Sequence, residues 1–154
     1  LAKGHKNIVG VKLTCASVGK ITRLAAVFDK TEFAVFGGQS DFLIAGLTVG
    51  SAGCIAAFAN VFPKTITHIY NLYAQGKHEE AMKLHRVAAL AESLSKSGIA
   101  NTKYAASLTS AKRAGIADAE RKLRPRRPYE PPSEETKKGI QAKMEEMVKI
   151  EASL

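Results

Sequence analysis

The chain has 154 residues, 45% hydrophobic and 24% charged, which excludes intrinsic disorder over most of the length and suits one ordinary domain with its own core. Lys and Arg number 23 against 14 Asp and Glu, a formal charge of +9 that keeps nucleic acids and small anions among the partners to consider. Cys15 and Cys54 form no C-x-x-C pair and cannot staple a scaffold, so a reducing compartment, the cytoplasm, is expected rather than secretion.

The opening Leu1-Ala2-Lys3-Gly4-His5 lacks an initiator Met and a charged-then-apolar leader, and it reads like a chain entered in the middle. The run Ile8-Val9-Gly10-Val11-Lys12-Leu13-Thr14 is apolar and β-branched over strand length. Ser17 stands where a helix cap belongs, ahead of Val18, Ile21, Leu24, Ala25 and Phe28 at helical spacing. Phe33-Ala34-Val35-Phe36 predicts a second strand closed by Gly37-Gly38, and Ser40 the cap of a short helix carrying Phe42, Leu43, Ile44 and Leu47. Gly50 and Gly53 break the chain before a third strand, Cys54-Ile55-Ala56-Ala57. Such alternation, with strands apolar on both faces, is the pattern of parallel βαβ units. Residues 42–62 carry no charge and have the length of a bilayer span, but Gly46, Gly50, Gly53 and Asn60 interrupt the sustained helix a span requires. No membrane partner is expected.

From Pro63 onward the pattern is helical. One helix runs to about Gln75, and a second covers 78–96 with Ala81, Leu84, Val87, Ala88, Ala91 and Leu94 as its buried stripe. Asn101 is expected to cap a third helix reaching Ala114, and the proline-rich stretch 123–132 must be extended. Ser133 then caps a last helix whose buried side is marked by Ile140, Met144, Met147 and Val148. The tyrosines Tyr70, Tyr73, Tyr104 and Tyr129 read as packing residues of this region. His78-Glu79 begins like a zinc-binding helix, but Met82 stands where the second histidine belongs. His85 lies two turns on from His78, and a solvated or interfacial helix face explains both, so no metal is expected. The basic run Arg121, Lys122, Arg124, Arg126 and Arg127 has no interleaved aromatics and reads as a solvated turn, not a nucleic-acid contact.

The informative oddity is Lys12. A lysine within an otherwise apolar strand is expensive if buried without a partner. Side chains alternate, so Val9, Val11 and Leu13 share the face that suits packing under helices, and Lys12 shares the other with Ile8 and Gly10. Burial would favour the neutral amine, a nucleophile for carbonyl carbon. The functional reading is a sequestered Schiff-base lysine; the plain one is a strand-end lysine reaching solvent.

Asn7-Ile8-Val9-Gly10-Val11-Lys12, then Phe33-Ala34-Val35-Phe36-Gly37-Gly38, then Gly53-Cys54-Ile55-Ala56-Ala57-Phe58-Ala59-Asn60-Val61 resemble the last strands of the dihydrodipicolinate synthase / N-acetylneuraminate lyase family. The likeness covers nearly the whole chain. It implies an α/β fold, a partial (β/α)8 barrel formed by the last three βα units and followed by a C-terminal helical region. Residues 1–75 would hold strands six to eight and their helices, and residues 76–154 the helical region. The resemblance makes Lys12 the imine-forming lysine, and Ile55 and Gly38 residues bordering the bound keto acid. It implies a lyase or aldolase acting on pyruvate or another 2-keto acid with no metal or organic cofactor.

The chain departs from the family in two respects. Leu13-Thr14 follows the lysine where an acidic and a small residue are common, which leans toward 4-hydroxy-2-oxoglutarate or 2-keto-3-deoxy sugar-acid aldolases. No Tyr-Asn-x-Pro stretch is present, so the proton-relay tyrosine and the strand-two hydroxyls belong to a missing N-terminal half. Three parallel strands cannot close a barrel. The expected partners are therefore that missing half or further copies of the chain, and the fragment alone is expected to be inactive. The alternative is a non-catalytic half-barrel that serves assembly.

Overall fold

The computed structural model describes residues 1–154, which divide into two compact units, Leu1–Ala56 and Ala57–Leu154. In the first, β1 (Gly10–Leu13), α1 (Val18–Val27), β2 (Ala34–Gly37), α2 (Leu43–Thr48) and β3 (Gly53–Cys54) alternate as the hydrophobic pattern predicts. The strands form one parallel sheet in the order β1-β2-β3. Gly10, Val11, Lys12 and Leu13 lie beside Ala34, Val35, Phe36 and Gly37, and Phe36 and Gly37 beside Gly53 and Cys54.

One face of this sheet is covered. Ile21, Phe33 and Val35 form its core, with Val11, Leu13, Leu24, Phe28, Phe42 and Val49 packed around them. The Phe28 and Phe33 rings meet at 4.6 Å between centroids. Ser17 caps α1 as expected, its hydroxyl accepting from the Lys20 amide. Phe42, not Ser40, holds the cap position of α2, and the Ser40 carbonyl accepts from the Leu43 amide. The third strand is shorter than expected, since the chain turns into a 3-10 helix at Ala57. Its entry is pinned by Ser51, whose hydroxyl donates to the Gly53 carbonyl at 2.9 Å and accepts the Gly53 amide at 3.0 Å. Gly50 makes the preceding turn at φ +98, and a Cβ there would also press on the Cβ of Ala25 at 2.8 Å.

The second unit holds α3 (Pro63–Ala74), α4 (His78–Ser95), α5 (Ile99–Leu108), α6 (Ser110–Arg113), α7 (Ala119–Lys122) and α8 (Glu134–Ser153). The sequence reading closes its first segment after α3. In the structure α3 groups with α4, because Ile66, Ile69 and Leu72 bury the face that packs on that helix. Ala81, Ala88 and Ala91 on α4 let neighbours approach closely, and Ile140, Met144 and Met147 of α8 complete the core. Ser133 caps α8 as expected.

Four local expectations are corrected. Asn101 lies inside α5 and does not cap it; its side-chain amide donates to the Leu94 carbonyl at 3.2 Å and so closes the end of α4. The expected third helix is broken at Thr109, whose φ −118, ψ −95 is not helical, into α5 and α6. Val148 is exposed on α8, and the buried position belongs instead to Glu151, one turn on. Tyr70 and Tyr129 are exposed and are not packing residues, whereas Tyr104 is buried.

Candidate functional site

Val11 and Leu13 point into the core under α1, so the alternation of the strand turns Lys12 to the other face, where no helix lies within this unit. Its lateral neighbour is Phe36 on β2. Two residues further along, Gly38 occupies the same face, its amide donating to the Leu13 carbonyl at 2.9 Å. A Cβ at Gly38 would overlap the Oγ1, Cα and Cβ of Thr14, so glycine is what lets the ends of β1 and β2 close together. Ile55 donates its amide to the Gly37 carbonyl at 2.9 Å, and it shares its face with Gly53, hence with Phe36 and Lys12. The three residues singled out in the sequence thus lie on one face, at the carboxyl ends of three neighbouring strands. With strands about 4.8 Å apart and Ile55 two residues beyond the position level with Lys12, roughly 12 Å separates their backbones, the width of a small ligand.

One expectation fails here. Lys12 is exposed, not sequestered, and Ile55 is 51% exposed. The helices cover the sheet from one side only, so nothing in this unit desolvates the amine. Phe36 and the glycines around it also supply no carboxylate or phenol to exchange protons with it, and all four tyrosines belong to the helical unit. What the arrangement can do is present a primary amine on an open face, within reach of a carbonyl carbon. The connection beyond it is strained, since Ala16 adopts φ 56 immediately before the cap of α1.

The helical unit contains a polar cluster that the sequence reading missed. Glu151 is fully buried on α8. Its Oε1 accepts from the Lys64 amide and from Arg113 Nη1, both at 3.0 Å; its Oε2 accepts from the Thr65 amide at 2.7 Å and the Thr65 hydroxyl at 2.6 Å. The carboxylate caps α3 from a helix 86 residues away. A signal was available: α3 starts Phe62-Pro63 with no capping side chain, so its first amides had to find an acceptor elsewhere. His78 stacks on Tyr73, with ring centroids 4.7 Å apart, and His85 is buried. No group of three or more His, Cys, Asp or Glu side chains is arranged to hold a metal ion.

Comparison with known proteins decides the family. The profile of the dihydrodipicolinate synthetase family matches residues 1–147, nearly the full length. The chain belongs to that family. A Coccidioides immitis protein, provisionally named a mitochondrial 4-hydroxy-2-oxoglutarate aldolase, is 68% identical over all of this chain and 49% of its own length. The L-threo-3-deoxy-hexylosonate aldolase of Hypocrea jecorina is 44% identical over 66% of the chain and 35% of that enzyme. The crystal structure of a dihydrodipicolinate synthase family protein from Coccidioides immitis superposes with a TM-score of 0.94 at 67% identity, over 99% of this chain and 50% of that one. The chain therefore spans between about a third and a half of the length of these family members. No helix is long and apolar enough to cross a membrane.

Proposed function

We propose that the chain is the carboxyl-terminal part of a Schiff-base aldolase of this family, the last three βα units of a (β/α)8 barrel followed by their helical region. Lys12 is the imine-forming residue, and Gly38 and Ile55 border the keto acid. The observation that carries the reading is the shared face: one lysine on an otherwise apolar strand, with a glycine and an exposed isoleucine on the same face at the strand ends. That is where barrel enzymes build their sites.

The neutral amine attacks the ketone carbon of a 2-keto acid, and loss of water leaves an iminium. In the cleavage direction, the electrons of the breaking carbon–carbon bond flow into the iminium to form an enamine, and the aldehyde leaves as its hydroxyl proton is removed. Protonation of the enamine and hydrolysis then return pyruvate and the free amine. Names of relatives favour 4-hydroxy-2-oxoglutarate or a 3-deoxy sugar acid as the substrate class. The mitochondrial location in the name of the Coccidioides immitis relative differs from the cytoplasm expected here. Free cysteines separate reducing from oxidising compartments only, and both locations satisfy them.

The exposure of Lys12 and the uncovered sheet face favour one second reading, a half-barrel that pairs with another copy or with a separately supplied barrel half. Borohydride reduction in the presence of pyruvate, followed by peptide mass spectrometry, separates the two. The aldolase reading expects a pyruvate-derived adduct on Lys12, abolished in Lys12→Met, with turnover appearing only when the preceding strands are supplied. An unmodified Lys12 in a chain that nonetheless forms a defined complex supports the assembly reading and overturns the first.

A further inference from the structure

The helical unit contains a cleft of about 1030 Å³, bounded by α5, the α6–α7 connection, the proline-rich segment and the first turns of α8. Leu108, Ile116, Leu123, Pro131 and Pro132 give it apolar walls. Proline's fixed φ makes part of that wall preformed. Tyr104 also lines it, only 6% exposed; the phenol oxygen accepts from Gln141 Nε2 at 2.7 Å, which leaves the phenolic hydrogen available to a ligand.

The charges around the cleft do not cancel. Each of its three carboxylates is already engaged: Asp118 pairs with Arg121 at 3.5 Å, and Glu120 and Glu134 both hold Lys137 at 2.8 Å. Lys112 and Arg124 line the same cleft and join no ion pair. A volume at the upper end for small-molecule sites far exceeds what pyruvate fills. Apolar walls with two unpaired cations and one phenol donor select a larger anion with an apolar body.

We propose that this cleft binds an amphipathic carboxylate with an aromatic or branched apolar body, its carboxylate met by Lys112 and Arg124 and its body seated against the proline wall. The proposal is independent of Lys12 and of the aldolase reading.

The test titrates the 154-residue chain with 2-naphthoate, followed by the probe's own fluorescence, and with the neutral 2-naphthalenemethanol. Saturable one-to-one binding of the anion is expected, with the neutral analogue about tenfold weaker or worse, the scale of one charge-assisted hydrogen bond. The double variant Lys112→Gln/Arg124→Gln should lose about the same factor. Both side chains are exposed, so its thermal melt should match that of the parent. Tyr104→Phe should weaken the anion by a smaller factor. Equal affinity for the two probes, unchanged affinity in the double variant, or no saturable binding up to millimolar probe would each overturn the proposal.

Discussion

The two units treat a charged side chain in opposite ways. In the sheet unit, Lys12 sits on a strand whose alternate residues fill the core, and it is left to water. In the helical unit, Glu151 is withdrawn from water completely and given four donors: two helix amides, a hydroxyl and a guanidinium. A buried charge survives only when saturated in this way. An exposed one adds little to stability, and its place on an apolar strand must be argued from chemistry. The contrast separates the residue that holds structure from the residue available for reaction.

The largest effect that can break this contrast is at Glu151. Glu151→Ala leaves two amides, a hydroxyl and part of a guanidinium without their acceptor, and should cost roughly 2–4 kcal/mol in chemical denaturation. Lys12→Met should change stability by less than about 0.5 kcal/mol while removing every trace of the trapped adduct. Comparable losses of stability in the two variants would show that Lys12 is structural after all. Next in size is Gly38→Ala, whose new Cβ overlaps Thr14 and must push β1 from β2 at a cost of about 1–3 kcal/mol. Gly4→Ala is the control, since nothing lies within 4 Å of its Cβ position, and its melt should match the parent. Thr65→Val keeps the amide contact to Glu151 but removes the hydroxyl, and should cost about 1 kcal/mol.

How far the sequence could be read follows from the range of the interactions concerned. Alternation within β1 is a local property, so the separation of Lys12 from Val11 and Leu13 was legible in seven residues. Register between strands was not, yet the glycines at 37, 38 and 53 marked where strand ends meet, and the face shared by Lys12, Gly38 and Ile55 follows from them. The exposure of Lys12 was not legible, because an apolar strand implies cover on both faces and the helices of this unit pack on one face only. Glu151 was invisible for the opposite reason. A carboxylate in a helix with Lys143, Glu145, Glu146 and Lys149 looks like solvated surface until α3 supplies its amides from far away in sequence. Val148 was favoured over it by hydrophobicity alone, and one turn of helix decided the matter.

The smallest expected effect lies at alkaline pH, and it too distinguishes the units. Burial, with the Glu120 carboxylate nearby, pushes the Tyr104 phenol above its ordinary value near 10. Hydrogen bonds to Glu120 and Glu134 push the Lys137 ammonium above its own. Both groups hold protons more tightly when folded than when unfolded. Between the unfolded and folded values the native state therefore binds more protons, and stability must fall as pH rises. The helical unit should accordingly lose thermal stability as pH rises above about 10. Tyr104→Phe and Glu120→Gln should each flatten that slope, whereas Lys12→Met should leave it unchanged. A slope that survives in a Tyr104→Phe/Glu120→Gln double variant would show that alkaline unfolding begins elsewhere and that this cluster does not hold α5, α7 and α8 together.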